Sequence, residues 1–123
     1  MKRLPDSELE VMLIIWKAKK PVLRPEIEVA LKEKNWAITT LNSFLSRLIE
    51  KGFLSCRKEG KWNVYTALVK EEDYLEYENN SFVEKLYGNS LKSFVASVCQ
   101  SMKMEDRDIQ ELQEFLETLK RGR

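Results

Sequence analysis

The chain has 123 residues, 43% of them hydrophobic and 33% charged, with a net charge of +1, two cysteines and no histidine. Its length suits one domain or a small domain with an appendage. The missing histidine removes the usual general base near neutral pH, and Cys56 and Cys99, far apart in sequence, leave nothing on which to build a zinc or copper site.

The first helix is expected just after Pro5, where Asp6 or Ser7 can cap free amides and Glu8 and Glu10 suit the positive end. Leu9, Met12, Leu13 and Trp16 follow at helical spacing, and Val11, Ile14 and Ile15 widen the apolar stripe. The strictly apolar run from Val11 to Trp16 is far short of the about 20 residues a bilayer span needs, and the opening MKRLPDSELE has no apolar stretch of signal type. A soluble, cytoplasmic protein with no membrane insertion is expected. Pro21 stops the first helix. Pro25 suits the first turn of a second, which buries Ile27, Ala30 and Leu31 and ends near Asn35.

The third helix is expected over residues 38–52, with Leu41, Phe44, Leu45, Leu48 and Ile49 on one face and Gly52 as its stop. Phe53 to Cys56 then reads as a strand, Arg57 to Lys61 as a turn with Gly60 supplying the unusual backbone angle, and Trp62, Val64 and Tyr65 as the returning strand. Three short helices and a hairpin are the order of a winged helix-turn-helix. Beyond Lys70, a helix opens on Glu71, Glu72 and Asp73 and stops at Gly88. A second carries Leu91, Phe94, Val95 and Val98, and a third carries Ile109, Leu112, Leu116 and Leu119 at heptad-like steps. The fold class is therefore mainly α with a small β-hairpin: a winged-helix domain over 1–70 and a helical segment over 71–123. About 50 residues of amphipathic helix make a poor core alone, and pairing with a second copy is the natural remedy.

Charge divides at the same place. Residues 1–70 hold 14 Lys/Arg and 8 Asp/Glu, net +6, and residues 71–123 hold 7 and 12, net −5. The first part suits a polyanion and the second does not. With the apolar face of the third helix turned inward, Thr39, Thr40, Asn42, Ser43, Ser46 and Arg47 are left outside. These hydrogen-bonding side chains suit base edges and phosphates in a major groove: Asn for the adenine edge, Arg for guanine or phosphate, a Thr methyl for that of thymine. Thr39 and Thr40 lie near the helix N-terminus, where free amides favour a phosphate. Arg57, Lys58 and Lys61 of the hairpin would reach the neighbouring DNA backbone. Tyr74, Tyr77, Phe82, Leu86, Leu91, Phe94, Ile109, Leu112, Leu116 and Leu119 are the expected contacts between two copies. Trp16, on a helical stripe, reads as core. No nucleophile–base pair or glycine-rich phosphate loop is visible, so no enzyme and no cofactor is expected.

Three stretches, SELEVMLIIWK (7–17), TTLNSFLSRLIEKGFL (39–54) and SFVEKLYGNSLKSFVAS (81–97), resemble the penicillinase-repressor (BlaI/MecI/CopY) family of bacterial transcription regulators. The specific pieces are E-x-x-V-M-x-x-I-W from Glu8 to Trp16, L-x-R-L-x-x-K-G from Leu45 to Gly52 and F-x-x-K-L-Y-G from Phe82 to Gly88. The resemblance implies a homodimeric repressor, active in antibiotic resistance, that binds inverted-repeat operators built around TACA and TGTA through its winged helix. It also implies a C-terminal dimerisation domain on which the releasing signal acts. In the β-lactam branch that signal comes from a membrane sensor-protease and ends in cleavage at an Asn-Phe bond, which aligns with Ser97-Val98 here. The copper branch's paired C-x-C motifs are absent, and a lysine common on the family's recognition helix is replaced by Asn42. A rival reading is a small-molecule sensor with a pocket lined by Tyr74, Tyr77, Phe82 and Phe94. Another is a winged-helix protein-interaction module that never touches DNA.

Overall fold

The computed structural model describes residues 1–122, and residue 123, the end of the expected C-terminal segment, lies outside the described residues. It divides into two compact units, Met1–Glu78 and Asn79–Arg123.

In the first unit, helix α1 (Asp6–Ala18) begins directly after Pro5 with no side-chain cap, so neither Asp6 nor Ser7 caps it. Its buried face is Glu8, Val11, Met12, Ile15 and Trp16, while Leu13, expected on the inward stripe, is exposed. The stripe is turned toward Val11 and Ile15 because α1 packs on α3 and β3. Strand β1 (Val22–Leu23) is a third strand the sequence reading lacked. Helix α2 (Arg24–Ala30) has its proline in the first turn, as expected, and runs into a 3-10 turn (Lys32–Lys34) that ends at Asn35 in the left-handed region.

Helix α3 (Ile38–Glu50) ends in a Schellman motif. Gly52 at φ +82° donates its N–H to Ile49 O, and the Phe53 N–H reaches Leu48 O at 2.9 Å. A side chain at this φ is strained, which is why glycine serves here. The motif buries Phe53 against the core and reverses the chain into β2 (Leu54–Glu59), which pairs antiparallel with β3 (Trp62–Ala67). The hairpin turn is only Gly60-Lys61, so Arg57 and Lys58, expected in the turn, lie in β2 opposite Val64 and Asn63. The sheet order is β1-β3-β2, with Val22 opposite Tyr65, so β1 ties the wing to the α1–α2 connection.

Two polar arrangements fix this unit. Glu8 is 2% exposed, and Lys51 Nζ meets its Oε1 at 2.6 Å, joining α1 to the end of α3. Removing one partner of such a pair strands the other away from water. Lys51→Met is expected to lower the unfolding free energy by about 1–3 kcal/mol in urea melts, while Lys51→Arg, which keeps the charge, recovers most of it. The second arrangement is Tyr74, 1% exposed, whose ring lies 5.7 Å from those of both Trp16 and Phe53 and whose hydroxyl accepts the Leu4 N–H at 2.7 Å. The Trp16 indole donates to Val69 O at 2.8 Å. Helix α4 (Glu71–Tyr87) thus begins as part of the first unit's core, and the unit reaches Glu78.

The second unit holds the end of α4, then α5 (Leu91–Ser101) and α6 (Asp106–Arg121). Ser90 caps α5 by accepting the Ser93 N–H at 3.1 Å. Phe82, Tyr87 and Phe94 pack mutually at 5.4–5.9 Å between ring centres, and Tyr87 Oη bonds Ser97 Oγ at 3.1 Å. Neither α5 nor α6 buries a single residue in the lone chain.

Candidate nucleic-acid interface

Leu41, Leu45 and Leu48 anchor α3 in the core. Phe44 is half-buried, meeting Trp36 edge-on at 5.0 Å, and Ile49 is exposed rather than inward. This leaves Thr39, Asn42, Ser43, Ser46 and Arg47 exposed and Thr40 partly so, all on the outer side of the helix. The N-cap is Ala37, and no side chain caps the helix. The first amides of α3 are therefore available to an acceptor from outside, and with the helix dipole they favour a phosphate. Ser43 donates its hydroxyl hydrogen to Thr39 O at 3.0 Å, so toward a ligand it offers lone pairs.

The sequence reading missed Arg24. From the start of α2 its Nη1 donates to Asn42 Oδ1 at 2.6 Å, and its Nε lies 3.6 Å from Glu28 Oε1, outside hydrogen-bonding reach. No periodicity links positions 18 residues apart on different helices, so the sequence held no signal for this pair.

In the wing, Arg57 Nη2 stands 3.3 Å from Glu59 Oε2 with both side chains exposed, an ion pair worth little in water. Lys58 alternates to the other face of β2, and Lys61 sits at the tip with Nζ 5.1 Å from the exposed Trp62 ring. Trp62, read from sequence only as a strand former, adds an aromatic surface beside that cation. Arg57, Lys58 and Lys61 thus present positive charge from β2 and its turn, within the same unit as the outer face of α3.

The expected pairing residues part company. Tyr74 is a correction: a ring this deep in the first unit's core, with its hydroxyl committed to Leu4, has no surface for a second copy. It is equally unavailable to a ligand pocket. Tyr77 is half-buried, while Phe82 and Phe94 pack on each other. Leu86, Leu91, Ile109, Leu112, Leu116 and Leu119 are exposed, and Phe115, not singled out from the sequence, joins the α6 stripe. The Ser97-Val98 bond lies inside α5, with both carbonyls accepting bonds from the next turn. No helix among the described residues is long and apolar enough to cross a membrane.

A family model described as penicillinase repressor matches residues 4–118. The penicillinase repressor of Bacillus licheniformis is 37% identical over 120 residues, covering 95% of this chain and 94% of that protein. The solution structure of the DNA-binding domain of the repressor BlaI matches with a TM-score of 0.52 at 40% identity, covering 60% of this chain and 94% of that one. The B. licheniformis BlaI monomeric form in complex with the blaP half-operator matches at 0.50 and 39%, covering 59% and 89%.

Proposed function

The chain belongs to the penicillinase repressor family, and from that premise we propose that it is a homodimeric transcriptional repressor whose winged helices bind the two halves of an inverted-repeat operator in double-stranded DNA. It is a regulator rather than an enzyme, working in the cytoplasm where its DNA lies.

The observation that carries this reading is the outer face of α3. Thr39, Thr40, Asn42, Ser43, Ser46 and Arg47 line it, it opens on uncapped amides, and it shares one unit with the basic Arg57-Lys58-Lys61 wing. A BlaI monomeric form complexed with a half-operator supports the step from one unit to one half-site. Two such units serve an inverted repeat when a second interface couples them, with recognition helices about 34–36 Å apart. The apolar side chains that α5 and α6 leave in water support that coupling. A signal that loosens the C-terminal segments then releases the operator, because a single unit forfeits the avidity of two. A membrane sensor-protease acting at Ser97-Val98 is one such signal, and cleavage there requires α5 to unwind locally.

The wing gives the direct test. Neutralising Arg57, Lys58 and Lys61 together to Gln should weaken binding to operator and scrambled duplex alike, and, with three charges lost from each of two copies, flatten the slope of log K against log salt by up to about 5. Asn42→Ala should instead weaken operator binding with little change in salt slope. Anisotropy titrations at several salt concentrations check both, and an unchanged slope in the wing variant would remove the wing from the DNA interface.

A further inference from the structure

We infer that Arg24 sets the base preference of Asn42, holding its side-chain carbonyl so that the amide NH2 faces outward and reads an acceptor edge, guanine N7/O6 or thymine O4, instead of adenine. The inference rests on the placement of α3 in the major groove proposed above.

Arginine carries donors only, so whatever faces its Nη1 at 2.6 Å must be the Asn42 oxygen. That fixes which way the amide points. The Arg24 side chain is 14% exposed while the bond itself lies at the surface, and a charged donor makes it stronger than a neutral one. Glu28 supplies a carboxylate 3.6 Å from Nε on the same helix, yet Nε has no hydrogen-bond partner. The guanidinium head therefore sits between an ion pair to Glu28 and a hydrogen bond to Asn42, and the bond to Asn42 is the shorter and directional of the two.

The chemistry of readout follows. An asparagine that reads adenine uses both ends of its amide, accepting from N6 and donating to N7. Here the accepting end is engaged. Its second lone pair lies beside a guanidinium whose N–H hydrogens repel the like-signed hydrogens of adenine N6. The free NH2 has two donors, and base edges that offer acceptors in the major groove are guanine N7/O6 and thymine O4. Arg24 is thus a positioning residue: it reaches the DNA through Asn42.

The test selects duplexes from a library randomised across one half-site and fixed in the other, using the full-length chain as wild type, Asn42→Ala, Arg24→Met, and the double variant. Arg24→Met keeps the aliphatic stem and removes the guanidinium. Asn42→Ala should lose an acceptor-base preference at one position of the half-site. Arg24→Met should lower that preference by about tenfold at the same position, with adenine gaining, and the double variant should go no further. Binding of Arg24→Met to scrambled duplex should change by less than about threefold, which separates positioning from simple loss of charge or of fold. Asn42→Asp, at an exposed position, is a second probe. It keeps the Arg24 contact but turns an oxygen outward, and should move the preference to a donor base, cytosine or adenine. An Arg24→Met profile identical to wild type, or a wild-type preference for adenine at the Asn42 position, would overturn the inference while leaving the repressor reading intact. A wild-type chain that enriches no sequence would overturn both.

Discussion

Ending the chain after Glu78 is expected to lower its affinity for a full inverted-repeat operator by about 10²–10⁴-fold while leaving affinity for an isolated half-site nearly unchanged. The reason is the division of the molecule. The first unit contains the sheet, the α1–α3 core, the outer face of α3 and the wing. The buried core residues, from Leu4 to Tyr74, all lie in that unit. The second unit carries a row of apolar side chains in water on α6, Ile109, Leu112, Phe115, Leu116 and Leu119, at spacing suited to a helix partner. If pairing through that row joins two DNA-binding units, the second half-site is bound at high effective concentration, and removing the row forfeits that gain without touching any DNA contact. The cut has to fall after Glu78. Ending at Lys70, where the charge composition changes, would delete Tyr74 from the core and confound lost pairing with lost folding. Equal affinity of the 1–78 fragment and the whole chain for the full operator would contradict the division of labour.

The second large effect is at Tyr74 itself. Tyr74→Ala should cost about 3–5 kcal/mol of unfolding free energy, since it leaves a void between Trp16 and Phe53 and frees the Leu4 amide. That is a large part of the about 5–15 kcal/mol typical of a domain. Tyr74→Phe keeps the ring and loses only the acceptor for Leu4, so about 1–3 kcal/mol is expected. The phenol also has a pH signature. Burial, aided by the Glu78 carboxylate, holds its pKa above the ordinary value of 10.0, against the opposing pull of the Leu4 N–H and Arg3. The folded chain therefore keeps a proton that the unfolded chain releases, and the associated stability is full below about pH 10 and falls as pH rises past it. Urea melts of wild type and Tyr74→Phe across that range should converge as pH rises. A constant gap would place the hydroxyl outside the linkage.

Much of this architecture was readable along the chain. Helical spacing located α3 through Leu41, Leu45 and Leu48, and the run from Phe53 through Gly60 to Tyr65 located the wing hairpin. What escaped reading depended on partners distant in sequence. Strand β1 has two residues, too few for any alternation, and exists only because β3 is there to pair with it. An aromatic residue on an amphipathic helix signals burial but not against what, and Tyr74 is buried against Trp16 and Phe53 of its own unit. Glu8 lies on the buried side of α1 because Lys51, 43 positions away, comes to meet it. The Arg24–Asn42 bond escaped for the same reason.

The most direct test of the central claim is a stoichiometric titration. A labelled duplex carrying the TACA/TGTA inverted repeat, held well above its dissociation constant, is titrated with the full chain beside a scrambled duplex at two salt concentrations. Saturation at two chains per inverted repeat, with weaker and non-selective binding to the scrambled duplex and a steep loss of affinity at the higher salt, is the predicted result. Saturation at one chain per duplex, or equal binding to both sequences, would contradict a homodimeric operator-binding repressor.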